Sequence, residues 1–219
     1  FYGFISAKNT FSVGRWCKLV AKKIKEIKKK NKTPIVVGGT GLYFRALIEG
    51  LVKIPKVKKL DYSYLNPIGR WMMGNHYHKK NPTIFEGINR NDIQRVSRAI
   101  SVYEGTGLTL KEWQNKENKK YFNSSDFIKL CLLPPKDDLE KKINSRFIQM
   151  LKKGALDEVR NYNKKFFVPA SHISANSIIG IYEIGLYLKK SITLKNLKDR
   201  VLIRTRQYAK RQYTWQRGQ

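Results

Sequence analysis

Acidic residues are scarce in this chain: 16 Asp and Glu stand against 45 Lys and Arg, which gives 219 residues a formal net charge of +29. A surplus of this size predicts a polyanionic partner, with nucleic acid first and a membrane surface second. The chain is also rich in Lys, Asn and Ile together, a bias that AT-rich coding produces without selection for binding. Because that bias does not explain the shortage of acids, nucleic acid remains the favoured partner.

Metal-ligating residue types and long apolar runs are also few. The two cysteines, Cys17 and Cys131, have no metal-ligand spacing and indicate no disulfide framework. The three histidines are scattered, which argues against a structural zinc site. No apolar run approaches the length of a membrane span, and no signal peptide is recognisable. We therefore expect a cytoplasmic protein that does not enter a membrane.

The stretch from Pro34 to Tyr43, with the sequence PIVVGGTGLY, is the centre of the chain. Three apolar residues after Pro34 predict a short buried strand, and residues 42–48 predict a helix. The pair Gly38-Gly39 between them predicts a turn in which the backbone can take conformations closed to other residues. Such a turn can gather N–H groups around an anion, and the hydroxyl of Thr40 can donate to a phosphate oxygen. These ten residues alone leave open a second interpretation, that the turn is only a tight connection.

Strand and helix patterns recur towards the end of the chain. The apolar run 127–133 ends at Pro134-Pro135 and predicts a second buried strand, which a helical pattern follows. This alternation predicts an α/β fold with a parallel sheet core over 1–57 and 125–219. The irregular stretch 58–124, rich in proline, aromatic and basic residues, is interpreted as a mainly helical insertion in that core.

Three predicted helices carry cationic faces. Residues 13–30 form the first, whose lysines indicate a solvated face or, as the alternative, a surface that meets RNA. Asn91 is predicted to cap the second, over 92–104, where a Gln and two Arg suit phosphate and base contacts but are also compatible with an ordinary surface.

The third of these predicted helices spans 194–219 and has no acid after Asp199. Its predicted apolar stripe is Leu197, Val201, Tyr208 and Trp215, and its cations lie beside that stripe.

In this order, the pieces resemble the tRNA dimethylallyltransferases, the isopentenyl transferases of tRNA. The likeness rests on PIVVGGTGLY (34–43), DIQRVSR (92–98), RFIQML (146–151) and TRQYAKRQYTW (205–215). Tyr2-Gly3 and residues 12–16 are similar to the alphaproteobacterial branch. The family transfers a dimethylallyl group from its diphosphate to the N6 amine of the adenosine 3′ of the anticodon. Its fold resembles a P-loop kinase with a helical insertion that grips the anticodon stem-loop.

The resemblance implies roles for particular residues. Thr40 would be catalytic, and Gly38, Gly39, Thr40 and Arg160 would bind the diphosphate of dimethylallyl diphosphate, with Mg²⁺ bridging its oxygens. Ile181 stands where many members have tyrosine. The residues that would contact tRNA are Gln94, Arg95, Val96, Ser97, Arg98, Ser177, Ile178, Ile179, Gly180, Ile181, Tyr182, Arg206, Lys210 and Arg211.

Two features of the family are not in these 219 residues: its Gly-x-x-x-x-Gly-Lys-Ser/Thr loop and the Asp-Ser stretch whose Asp is the general base. We therefore expect a monomer whose N-terminal P-loop unit is missing from this chain and which alone has little transferase activity. Two alternatives stay open at this point. One is a non-catalytic basic RNA-binding fragment of such an enzyme, and the other is part of a P-loop nucleotide kinase, for which fold class is the only support.

Overall fold

The structure is a computed structural model that describes residues 3–7, 9, 11–166 and 174–218. Tyr2, part of the resemblance above, lies outside these residues. Two short 3₁₀ helices lie at Ser124–Asp126 and Ser174–Ser177. None of the helices in the described ranges is long and apolar enough to cross a membrane. The α-helices are α1 (Val13–Lys28), α2 (Gly41–Glu49), α3 (Pro67–Lys80), α4 (Ile93–Thr106), α5 (Leu110–Gln114), α6 (Lys136–Lys152), α7 (Ala155–Lys165), α8 (Ile181–Leu188) and α9 (Leu194–Arg217).

The predicted parallel sheet core is wrong for the part of the chain that the structure describes. That part contains no β-strand, and its β pairing is an isolated antiparallel bridge between Leu51 and Lys119. Ile35 and Val37, in the first predicted strand, are 82% and 80% exposed, and Leu130, in the second, is 88% exposed. A strand needs hydrogen-bonded neighbours, and an apolar run in the sequence does not show whether a neighbour is present.

The described chain divides into two compact units. The first unit comprises residues 1–46 and 127–219, and the second comprises residues 47–126. The predicted insertion, 58–124, falls inside the second unit. The first unit contains most of the surplus positive charge, since residues 1–46 include a single acid, Glu26.

The core of the first unit lies among its last four helices. Helix α9 packs against α6 and α8, and α7 packs against α6 and α8. Of the stripe predicted on α9, Leu197 and Val201 are buried but Tyr208 is exposed, and Leu202 and Ala209 continue the packed face instead. The buried side chains of this core are Ile143, Phe147, Ala155, Val159, Ile184, Leu197, Val201 and Leu202.

A buried ion pair connects α8 with α9. The side chain of Glu183 is only 4% exposed, and its Oε1 pairs with Nη1 of Arg204. Its Oε2 accepts a hydrogen bond of 3.0 Å from the backbone N–H of Gly180, immediately before α8. One carboxylate thus caps the start of α8 and holds α9 to it, so Arg204 has a structural partner although it lies within the cationic helix.

In the second unit, α4 forms the core with the segment that follows α3. Asp92, not the predicted Asn91, caps α4, and its Oδ1 accepts a hydrogen bond from the N–H of Arg95 at 3.1 Å. The helix ends at Gly107, which has a left-handed φ of 71°. The buried residues of this core are Ile84, Phe85, Val96, Ala99 and Ile100.

Helix α3 was not predicted, because its apolar residues do not form a buried stripe. Ile68, Trp71 and Met72 are all exposed, so the helical periodicity that usually reports packing is weak here. A local signal was present in Asn66-Pro67. The Oδ1 of Asn66 accepts a hydrogen bond from Gly69 N–H at 2.7 Å, and Pro67 occupies the first helical position.

We predict that Arg204→Ala lowers the free energy of unfolding by about 2 kcal/mol, because it leaves the buried Glu183 carboxylate without its cation. Breaking a fully buried pair costs roughly 3–5 kcal/mol, and the partial exposure of Arg204 reduces that cost. Urea unfolding measures the change. Arg200→Ala, an exposed site one turn earlier on α9, serves as the control and should change stability little. Equal effects of both substitutions would contradict a structural role for the pair.

Candidate functional site

The glycine turn, residues 38–41, leads directly into helix α2. The carbonyl oxygen of Thr40 accepts hydrogen bonds from the N–H groups of Tyr43 at 3.0 Å and Phe44 at 3.5 Å, so Thr40 immediately precedes the helix. The first N–H groups of a helix have no acceptor within it and can bind an anion. Thr40 is exposed, and no described residue forms a hydrogen bond with its hydroxyl. The turn therefore presents one hydroxyl donor at the start of a helix.

The C-terminal end of α9 packs directly on this turn. A Cβ atom built on Gly39 would lie 2.9 Å from Cδ of Gln212 and closer still to its Nε2. A Cβ atom on Gly41 would lie 2.6 Å from Cγ of the Trp215 ring. Because carbon atoms do not approach this closely, only glycine fits at either position without a shift of its neighbour. Thr40 thus lies between two points of contact with α9.

Close approach, not backbone conformation, is the reason for glycine in this turn. Gly38, Gly39 and Gly41 are not among the residues with a positive φ, so the turn does not use the left-handed conformations that glycine permits. Gly38 has no steric need to be glycine, since a Cβ atom there would make an ordinary contact of 3.5 Å with Phe44. Gly41 is therefore the stricter requirement, because it faces the bulky Trp215 ring, whereas the flexible end of the Gln212 side chain could move away from a Cβ atom on Gly39.

Helix α1 also contacts the start of α2. The ring of Trp16 stacks on that of Tyr43, with centroids 4.9 Å apart and an angle of 25° between the ring planes. Tyr43 lies three residues after Thr40 in the first turn of α2. The glycine turn is thus held next to α1 on one side and α9 on another, all within the first unit.

The cations of α9 predicted to bind tRNA are exposed. Arg206 lies 3.9 Å from Glu140 on α6, where both side chains are exposed and the interaction is weak. Lys210 is exposed, and the guanidinium of Arg211 lies 5.7 Å from the centre of the Tyr208 ring. Arg211 directly precedes Gln212. The cationic surface of α9 therefore adjoins the residues that contact the glycine turn.

Arg160, predicted to bind diphosphate, lies on α7 and pairs with Asp157 on the same helix. Both side chains are exposed, and an exposed pair of this kind leaves the guanidinium available to a stronger anion. No contact between Arg160 and the glycine turn is found among the described residues. The diphosphate role of Arg160 remains a prediction.

Residues 177–182, predicted to contact tRNA, are divided between surface and core. The side chains of Ser177, Ile178 and Tyr182 are exposed, whereas Gly180 is buried. Ile179 and Ile181 pack against the core of the first unit. If this segment contacts RNA, the contacts would therefore be made mainly by Ser177, Ile178 and Tyr182.

Residues 94–98 on α4 show a similar division. Gln94, Arg95 and Arg98 are exposed, and Arg95 forms an ion pair with Asp92 at 3.1 Å. Val96 is buried in the core of the second unit, and the Oγ of the buried Ser97 accepts a hydrogen bond of 3.3 Å from Tyr62 N–H. The three exposed side chains are the members of this stretch that can reach a nucleic acid.

The described residues do not form a metal site made of protein ligands alone. No group of three His, Cys, Asp or Glu side chains among them could hold a metal ion. A Mg²⁺ ion that bridges substrate phosphates needs only one or two protein ligands. The expected Mg²⁺ therefore remains a prediction, and no chemical step is assigned to it below.

The pairing of Gln212 and Trp215 with the glycine turn was not predicted from the sequence. Both residues stand in the segment 205–215 that carries the resemblance, but some 170 residues separate them from Gly39 and Gly41. The spacing Gly39-x-Gly41 was the signal available, since alternate glycines often mark a close approach of another element. The sequence does not say which element approaches.

The whole chain, residues 1–219, matches the family model described as IPP transferase. The chain belongs to the IPP transferase family. It is 40% identical to a tRNA dimethylallyltransferase of Pelagibacter ubique over 220 residues, covering 99% of this chain and 69% of that protein. It is 37% identical to a tRNA dimethylallyltransferase of Wolbachia pipientis from Culex pipiens, covering all of this chain and 73% of that protein.

Solved structures of IPP transferases show the same likeness in three dimensions. A eukaryotic dimethylallyltransferase acting on tRNA is similar with a TM-score of 0.76 and 26% identity, covering 96% of this chain and 54% of that one. The tRNA isopentenylpyrophosphate transferase of Bacillus halodurans is similar with a TM-score of 0.62 and 26% identity. The match covers 99% of this chain and 67% of that one. The predicted family membership is confirmed.

We predict that Gly41→Ala destabilises this member of the IPP transferase family by about 1–3 kcal/mol, since a methyl group there overlaps the Trp215 ring. Helix propensity alone predicts the opposite sign, because alanine is the better helix former by up to ~1 kcal/mol. Thermal and urea unfolding measure the difference. Gly38→Ala is the matched control and should leave stability nearly unchanged. A stabilised Gly41→Ala protein would show that Trp215 does not pack on the turn.

Proposed function

We propose that the protein transfers a dimethylallyl group from dimethylallyl diphosphate to the N6 amine of the adenosine 3′ of the anticodon in tRNA. The observation that carries this proposal is the packing of α9 on the glycine turn, which places a hydroxyl donor beside a cationic helix. Family membership supports it, as do the relatives named tRNA dimethylallyltransferase and the structure of one acting on tRNA.

The reaction needs stabilisation of negative charge. The N6 nitrogen forms a bond to the allylic carbon while the carbon–oxygen bond to diphosphate breaks. The proton of the amine passes to a general base, the role that the resemblance gives to an Asp outside these 219 residues. The departing diphosphate oxygen gains negative charge in the transition state, so a donor aimed at it accelerates the step. Thr40 offers such a donor at the start of α2, and we assign it to that oxygen.

The cationic helix suits the other substrate. A base that reacts at a buried atom must first leave its stack, and the RNA backbone must be held while it does. Lys210 and Arg211 are exposed donors one to two residues before Gln212, which contacts the turn. Phosphates bound there would bring an unstacked adenine close to Thr40. Contacts of Gln94, Arg95 and Arg98 with the anticodon stem-loop belong to the same proposal.

A transfer assay tests the function. The complete product of the gene is incubated with dimethylallyl diphosphate, magnesium and unmodified tRNA, and the digested nucleosides are analysed by mass spectrometry. We expect dimethylallyl-adenosine, and none from a tRNA with guanosine in place of the target adenosine. RNA binding without any product would favour a non-catalytic RNA-binding protein, and phosphoryl transfer to a nucleotide would favour a kinase.

We predict that Thr40→Ala lowers the single-turnover rate on the order of a hundredfold, or about 3 kcal/mol, because one donor to the leaving oxygen is lost. Its affinity for tRNA should change little, since the hydroxyl is too short to grip a large RNA. Thr40→Ser keeps the hydroxyl and should retain most of the rate. Rapid quench kinetics and a tRNA binding assay separate the two quantities. Alanine and serine variants with equal rates would show that Thr40 only shapes the turn.

Neutralising the exposed cations of α9 should weaken tRNA binding and reduce its dependence on salt. For the triple variant Arg206→Ala, Lys210→Ala, Arg211→Ala, we predict a salt slope lower by about two to three, because each phosphate contact contributes about 0.7–0.9 to the slope. Fluorescence anisotropy across a salt series measures it, and different tRNAs should be affected alike. Arg200→Ala again serves as the control. An unchanged slope would leave α9 with a packing role only.

A further inference from the structure

Four lysines form a row along the exposed side of α1. We call Lys18, Lys22, Lys25 and Lys29 the α1 stripe; Lys29 is the residue that ends the helix. At 100° per residue these positions fall within a sector of about 60°, and all four residues are exposed. The opposite side of the helix is packed, with Cys17, Val20, Ala21 and Ile24 buried.

Among the described residues, the acid nearest the α1 stripe in sequence pairs with a lysine outside it. Glu26 is the single acidic residue in 1–46, and its Oε2 accepts a hydrogen bond of 2.9 Å from Lys23, which lies outside the stripe. The bond and charge of Lys23, with smaller effects of Lys22 and Lys30, hold the pKa of Glu26 below its usual range. None of the four stripe lysines has an ion-pair partner among the described residues.

An unpaired row of like charges is unfavourable in isolation. Lysines three and four residues apart on a helix repel one another by a few tenths of a kcal/mol per pair. A row of anions with similar spacing would remove that repulsion and release its own counterions. The stripe is roughly 17 Å long, which is enough to follow several phosphates of one strand.

Helix α1, which carries the stripe on another face, contacts the start of α2. Trp16, two residues before Lys18, stacks on Tyr43 in the first turn of α2. Helix α1 and Thr40 belong to the same unit. An RNA whose reacting base lies at Thr40 continues in both directions as phosphate backbone, so an exposed row of cations in that unit is a surface to which the backbone could bind.

We propose that the α1 stripe binds phosphates of the substrate RNA, as a second RNA-binding surface besides the cations of α9. This inference rests on the proposed function. An anionic membrane is the competing partner for a basic helix, but a helix that lies on a membrane inserts its apolar face into the lipid. The apolar face of α1 is buried within the protein, so a membrane could interact with the stripe only through the charges of its headgroups. RNA is favoured, because its phosphates bind exposed lysines without any apolar contact.

The test uses the complete product of the gene with a charge-neutral stripe: Lys18→Gln, Lys22→Gln and Lys25→Gln together. Affinity for unmodified tRNA is measured by fluorescence anisotropy across a salt series. We expect at least a tenfold loss of affinity at low salt and a slope lower by about two to three. The matched control, Lys152→Gln, Lys153→Gln and Lys189→Gln, removes the same charge from exposed sites elsewhere in the first unit and should change the slope by less than about 0.5.

A second variant separates charge from folding. Lys18→Arg, Lys22→Arg and Lys25→Arg keeps the stripe positive and should retain the wild-type slope. The stripe proposal would be overturned if tRNA affinity had the same salt slope in the wild type, the stripe variant and the control. In that case, prenyl transfer by the wild type would still support the proposed function. A wild type that binds no tRNA and transfers no prenyl group would overturn both. Loss of binding to phosphatidylserine vesicles with unchanged binding to tRNA would assign the stripe to a membrane.

Discussion

The contact between α9 and the glycine turn is the constraint on which the candidate site depends. Gln212 and Trp215 occupy space that Cβ atoms on Gly39 and Gly41 would otherwise fill. Thr40 lies between those two glycines, so its position follows from how the indole ring and the amide pack. A close, shaped contact of this kind transmits a shift of one element to the other, because packed interiors have little room to deform. The hydroxyl proposed to bind diphosphate and the cations proposed to bind RNA are therefore parts of one packed structure.

Helix α9 combines two roles along its length. Its first half packs into the core through Leu197, Val201 and Leu202, and Arg204 joins the buried carboxylate of Glu183. Its second half carries exposed cations. One of the few acids in the first unit, Glu183, is used inside the protein, where it caps α8 and binds Arg204. The exposed surface of the first unit is left with little negative charge to compete with a polyanion.

The sequence predicted where several helices begin and end, but it did not predict which segments pack or hydrogen-bond with one another. The first helix, the helix after the glycine turn and the last helix were predicted close to their observed bounds, because apolar spacing and capping residues act within a few positions. The buried strands at 35–37 and 127–133 were wrong, because an apolar run is compatible with several states and only a neighbouring strand makes it part of a sheet. Helix α3 was missed because its exposed apolar residues do not report a packed face.

The sequence by itself determined the family and the large surplus of positive charge, since these depend on which residues occur and in what order. Only the tertiary structure decided how individual residues are used. It showed that Arg204 is held by Glu183, that Val96 and Ser97 are buried, and that Gly39 and Gly41 are glycines because α9 approaches them. The physical reason is the distance along the chain over which each property is determined. Propensity and charge are properties of nearby residues, whereas burial and contact depend on segments that folding brings together from distant parts of the chain.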